Sequence, residues 1–145
     1  MMHDRYTYRG QAKKNGSAFW AYGGLLRGQY AWGIGSQDAG WTVNPATVGL
    51  CAALPDKNGE VIFEGDILEE RSDTGTHRLL VKYGPYQHID AQREYTCGDV
   101  GFYCEAISPE GGHLRNDIQF WAARSVRIGN RWDNPELLEG GTEIG

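Results

Sequence analysis

The sequence predicts a mainly β fold of short strands joined by tight turns, and three observations predict it. Glycine occurs 21 times in 145 residues, twice its ordinary share of ~7%. Aromatic residues make up 12% of the chain, which together with the glycines favours many short strands over long helices. No stretch sustains apolar residues at the 3.6-residue spacing of a helix.

The elements follow in order. Tyr6-Thr7-Tyr8 reads as an opening strand, Asn15-Gly16 as a turn, and Ala18-Phe19-Trp20-Ala21-Tyr22 as the second arm of a hairpin. Leu25-Leu26 and Tyr30-Ala31-Trp32 continue in the same style, and Trp41-Thr42-Val43 is extended. Asn44-Pro45 sets a cap and a first helical position, with room for one turn before Gly49.

The densest turn chemistry lies between Leu54 and Leu68. Asn58-Gly59 tolerates the positive φ of a tight turn. Val61-Ile62-Phe63 is a strand-forming run, Gly65-Asp66 breaks it, and Ile67-Leu68 restarts an extended apolar run. Ser72 to Thr76 is a turn cluster. Arg78-Leu79-Leu80-Val81-Lys82-Tyr83 is the clearest central strand. Gly84 to Gly112 carries the weakest signal, apart from an extended run from Gly101 to Ile107. Ile118-Gln119-Phe120-Trp121 and Ser125 to Gly129 read as two closing strands. Asn134-Pro135-Glu136-Leu137-Leu138 is a short capped helix whose leucines are expected to pack on the sheet, ended by Gly140-Gly141. The tail from Thr142 is expected to fray.

At 145 residues one domain is expected, with a β-rich part over 1–53 and a second part over 54–140. The net charge is −5, which disfavours non-specific binding to nucleic acid. Met1-Met2-His3-Asp4-Arg5 opens into a polar segment rather than a signal peptide, and no apolar run approaches the ~20 residues of a membrane helix. The expectation is a cytoplasmic protein of a bacterial host cell whose Cys51, Cys97 and Cys104 are reduced.

Asp56, Glu60, Glu64 and Asp66 do not fit a calcium loop. Counted from Asp56, Val61 falls where the turn glycine is required and Ile67 where the bidentate glutamate is required. A solvated hairpin rim is the preferred reading. Cys97, Cys104 and His113, with His88, lack the paired Cys-x-x-Cys spacing of structural zinc sites. Cys97 and Cys104 could face each other across a hairpin, although a reducing setting disfavours a disulfide. No local context activates a Cys/His nucleophile pair, and Gly23-Gly24 lacks the downstream Gly-Lys-Ser/Thr of a phosphate loop.

The order of landmarks resembles the YopX family of phage and prophage proteins. Tyr8-Arg9-Gly10 through Asn15-Gly16 to Trp20 and Tyr22-Gly23-Gly24-Leu25 resembles the family's opening. Val43-Asn44-Pro45-Ala46-Thr47-Val48-Gly49 matches its next signature. Asp56-Lys57-Asn58-Gly59 with Ile62-Phe63-Glu64-Gly65-Asp66-Ile67 matches its most distinctive one. Ile128-Gly129-Asn130 and Asn134-Pro135-Glu136-Leu137-Leu138 match its C-terminus. Two departures stand out. Cys51-Ala52-Ala53 replaces the family's Tyr-Thr-Gly turn, and Gly84 to Asn116 looks like a variable insertion. The resemblance implies a β-rich fold with a small SH3-like barrel over 54–140 and an N-terminal β-rich extension. It implies no reaction and no functional residues.

The reading is therefore a non-enzymatic accessory protein acting as an interaction module, with no catalytic residue, no cofactor and no metal. Most of the five Trp and eight Tyr are assigned to core packing. Trp121, Arg124, Arg127, Arg131 and Trp132 form the candidate interaction surface, because aromatics and Arg are enriched at interfaces. A protein partner or self-association into a homo-oligomer is expected, through an aromatic patch or a strand edge, with no membrane. Two readings compete: a nucleic-acid-binding barrel that stacks bases on aromatics beside Arg, and a hydrolase or nuclease using the acidic rim with a divalent ion.

Overall fold

A computed structural model describes residues 6–27, 31–35, 40–73, 75–89, 95–107 and 115–139, with the side chains of 89 and 95–97 excepted. The expected mainly β class is what the chain adopts. Its contacts divide it into two compact units, residues 1–53 and 54–145.

The first unit holds β1 (Tyr8–Lys14), β2 (Ser17–Arg27), β3 (Trp32–Gly35), β4 (Gly40–Thr42) and most of β5 (Gly49–Pro55). These strands lie in the order β4-β3-β2-β1-β5. The opening strand begins at Tyr8 rather than Tyr6 and runs to the turn. Asn15 (φ 54°) and Gly16 (φ 84°) are both left-handed, the two-residue loop whose twist matches an antiparallel pair. A single 3-10 turn, Pro45–Thr47, occupies the place foreseen for it, and Asn44 Oδ1 accepts the Ala46 amide at 3.0 Å. The turn is tied to β1, because Thr47 Oγ1 accepts the Gln11 amide at 2.8 Å. The core is Ala12, Ala21, Ile34 and Val43, with Tyr8, Phe19, Leu25 and Val48 packed against it.

The second unit holds β6 (Val61–Phe63), β7 (Asp66–Ser72), β8 (Gly75–Ile89), β9 (Tyr95–Ala106), α1 (Ile118–Arg124), β10 (Val126–Asn130) and a 3-10 turn (Pro135–Leu138). Four of its strands form the ladder β10-β7-β8-β9. The pairings among the described residues are linear and do not close into a ring. Leu79, Leu80 and Val81 are all buried, so β8 is covered on both faces, as a central strand requires.

Three expectations are corrected. Ile118 to Trp121 is helical, not extended. Positions 118, 121 and 122 share one face of a helix, and Trp121 and Ala122 on that face are buried. A run of four apolar-rich residues does not distinguish the two periods. Cys97 and Cys104 lie on the same strand, about seven steps of ~3.3 Å apart, and so do not face each other across a hairpin. Asn134 makes no side-chain cap to its 3-10 turn. Its Oδ1 instead accepts the Asn130 amide at 3.2 Å, while Leu137 and Leu138 are half-buried. The readings placed on Tyr30, on His113 and on the tail from Thr142 lie outside the described residues.

Candidate interaction surfaces

The signature stretch is built around two buried carboxylates. Between β5 and β6 the Asp56 amide donates to the Glu60 carbonyl at 2.7 Å, and the Gly59 amide to the Asp56 carbonyl at 3.0 Å. Gly59 alone of the Asn58-Gly59 pair has positive φ, at 88°. Asp56 Oδ1 accepts the amides of Asn58 (2.8 Å) and Glu60 (2.9 Å). Its Oδ2 accepts the amide of Arg127 at 2.8 Å, bridging to β10. The Lys57 amide adds a bond to the Ser125 carbonyl at 2.9 Å.

Asp66 is fully buried, and its Oδ2 accepts the Phe63 amide at 2.8 Å. The intervening Gly65 donates to the Val81 carbonyl at 2.8 Å and accepts from the Arg131 amide at 2.9 Å. The expected solvated rim is thus half right. Glu60 is exposed, but Asp56 and Asp66 are buried because backbone N–H groups demand their oxygens.

The five residues proposed from sequence are placed as follows. Trp121 is 3% exposed, and its Nε1 donates to the Arg115 carbonyl at 2.7 Å. Arg127 is half-buried. Its Nη1 donates to the Val61 carbonyl at 2.9 Å, its Nη2 to Glu60 Oε1 at 3.3 Å, and Asp66 Oδ2 lies 3.7 Å from Nη1. Arg124 is exposed, with its guanidinium 3.9 Å from the Phe120 ring centroid. Arg115 stands over the same ring at 4.3 Å. Arg131 is exposed, 5.9 Å from the ring of the half-buried Trp132. Trp121 and Arg127 are therefore engaged inside the fold, while Arg124, Arg131 and part of Trp132 face solvent.

The larger exposed aromatics lie elsewhere. In the first unit Trp32 is 38% exposed and Trp41 is 42% exposed. Arg27 pairs with Trp32 across β2 and β3, its guanidinium 5.7 Å from the ring. Lys14 Nζ lies 5.7 Å from the Trp41 ring, which Phe19 meets edge-on at 4.9 Å. In the second unit β8 and β9 form a long arm. The pairs Leu79/Ala106, Val81/Cys104, Tyr83/Phe102 and Pro85/Val100 share one face. Leu79, Val81 and Cys104 are buried, whereas Tyr83 is 49% exposed and Val100 is 67% exposed. Sequence reasoning missed both places. The signal available to it was positional: Arg27 one hairpin pairing away from Trp32, and apolar residues at alternate positions on both sides of Gly84.

Burial, with the Asp117 carboxylate adding to it, pushes the Cys104 thiol up to about 12, far from the thiolate that a nucleophile or ligand needs. On the arm, a hydrogen bond from the Val100 amide, with help from His88, holds Asp99 below its ordinary value. His88 Nε2 lies 3.3 Å from Asp99 Oδ2 and 3.5 Å from the Tyr86 hydroxyl. Among the described residues no three His, Cys, Asp or Glu side chains are grouped to hold a metal ion. The Cys97 side chain and His113 lie outside those residues. No helix among them is long and apolar enough to cross a membrane.

A family model described as YopX protein matches residues 42–139. The match includes the signature stretch and the C-terminal Asn-Pro turn, and it leaves the stretch from Tyr8 to Leu25 outside. No curated protein matches the chain.

Proposed function

This chain belongs to the YopX family, and from that premise we propose that it is a cytoplasmic phage or prophage accessory module that works by binding, not by catalysis, and self-associates through its β8–β9 arm. The observation that carries this reading is the stripe on the arm. Apolar side chains that are buried at Leu79, Val81 and Cys104 continue outward as Tyr83, Phe102, Pro85 and Val100. Exposed apolar surface in a continuous stripe favours a partner.

The outer edge of β9 supports side-chain contact over strand addition. The Cys104 amide is taken by the Asn116 carbonyl at 2.9 Å. The Val100 amide is taken by Asp99 Oδ1 at 2.8 Å. An edge blunted in this way resists pairing with another strand. The signature acids support the non-catalytic part, since Asp56 spends its carboxylate on three backbone amides.

Light scattering after size exclusion tests the reading. The wild-type chain should elute as a dimer or larger, and Val100→Lys should shift it to monomer without loss of β-sheet circular dichroism. A strict monomer at high concentration, or an assembly indifferent to Val100→Lys, removes the arm from the account.

A further inference from the structure

We propose that the Trp32/Trp41 face of the N-terminal sheet binds single-stranded nucleic acid. The register places the two rings. Ile34 pairs with Leu25 on one side and with Trp41 on the other, and Trp32 pairs with Arg27. Strand alternation therefore puts Trp32, Trp41, Arg27 and the buried Ile34 on one face. The two tryptophans stand at diagonal positions about Ile34, the arrangement in which large side chains of neighbouring strands are ~7–8 Å apart. Each keeps more than a third of its surface in solvent, and each has a cation beside its ring, Arg27 for Trp32 and Lys14 for Trp41.

The charge of the chain is unevenly distributed. Residues 1–53 contain Arg5, Arg9, Lys13, Lys14 and Arg27 against only Asp4 and Asp38, a formal +3. Residues 54–145 carry the other nine Lys and Arg against seventeen acids, a formal −8. The net −5 that disfavours nucleic acid thus belongs to the second unit, and the exposed tryptophans sit on the basic one. Rings that can stack on bases, each beside a cation able to meet a phosphate, are the recognition pattern of single strands. A duplex hides its base faces and is read by elements that enter its grooves. Among the described residues the first unit offers a sheet and one 3-10 turn, not a groove-reading helix.

The residues of this surface belong to the first unit and those of the arm to the second, so the two proposals are tested by different variants. The test is tryptophan fluorescence titration of the full chain with a thymidine 12-mer at low salt. Quenching should saturate and weaken as salt rises. Trp32→Ala and Trp41→Ala should each weaken binding about tenfold, within the ~1–3 kcal/mol that one stacked base contributes, while Trp→Phe at the same positions should retain most of it. Lys14→Ala and Arg27→Ala should each lower the salt slope by about one contact's share. Absence of binding by the wild type overturns the proposal, and so does indifference to both the tryptophan and the cation variants. Equal affinity for duplex of the same length, or equal displacement by an acidic polypeptide such as polyglutamate, overturns it as well, the latter in favour of an acidic protein partner.

Discussion

The six-membered ring of Trp132 occupies the space that a Cβ on Gly65 would need. Gly65 also has φ 93°, a conformation that side chains other than glycine's avoid. The glycine of the Phe63-Glu64-Gly65-Asp66 motif is thus required twice, by its backbone and by the indole that follows β10. Gly65→Ala should cost about 2–4 kcal/mol, combining left-handed strain with overpacking. In a Trp132→Ala background the same change should cost only the strain, about 1–2 kcal/mol. Urea denaturation of the four proteins gives the coupling, and equal costs in both backgrounds would show that the ring does not sit on Gly65.

Ala53 has φ 58°, a left-handed conformation suited to glycine. Left-handed strain on a residue with a Cβ is ~1–2 kcal/mol, and a glycine gives back ~0.5–1 kcal/mol through its flexible unfolded state. Ala53→Gly should therefore raise stability by about 0.5–1 kcal/mol. A lower melting temperature would mean that this turn is not left-handed in solution.

Leu79 and Leu80 point to opposite faces of β8 and are both buried, at 0% and 6% exposure. Leu79→Ala and Leu80→Ala should each destabilise by roughly 2–5 kcal/mol. If only one of them does, one face of the sheet is uncovered.

Glu69 links stability to pH. Burial pushes its pKa up, but hydrogen bonds and charge from Arg78 and Arg71 outweigh burial, and the net shift is downward. Arg78 Nε lies 3.0 Å from Oε2 and Arg71 Nε 2.9 Å from Oε1. A carboxyl lowered in the folded state stabilises fully above its ordinary value of ~4.3 and loses that contribution as pH falls through the lowered value. The stability gap between wild type and Glu69→Gln should be complete at neutral pH and close on acidification below about pH 4. A gap independent of pH would remove the ion pairs from the account.

Much of this fold is legible in the residues because its turns are chemically explicit. Asn15-Gly16, Asn44-Pro45 and Gly59 stand where their backbone angles require them, and the β-branched and aromatic runs between them have no other reading. The helix Ile118–Arg124 was illegible because its buried residues are only Trp121 and Ala122, too short a pattern to separate two periods. The arm was illegible because its partner strands carry glycine at matched positions, Gly84 opposite Gly101, which mimics a loop composition. The surfaces were obscured for a different reason. Proximity of Arg to Trp in sequence pointed to residues 121–132, whereas strand pairing sets Arg27 beside Trp32, and the fold brings Lys14 within 5.7 Å of the Trp41 ring although the two are 27 positions apart. Whole-chain charge also masked a basic first unit.

The central claim is that the buried acids of the signature stretch, Asp56 and Asp66, hold the fold together through backbone amides. The amide of Arg127 tests it most directly, because it lies 71 positions from Asp56 in sequence and 2.8 Å from its Oδ2. Hydrogen exchange at that amide should be slow in the wild-type chain. In Asp56→Ser it should be faster by orders of magnitude, together with the amides of Asn58 and Glu60, while the Leu79 and Val81 amides of β8 stay protected. An Arg127 amide that exchanges equally fast in both proteins would mean that the Asp56 carboxylate is not committed to β10, and would contradict the structural role assigned to the motif.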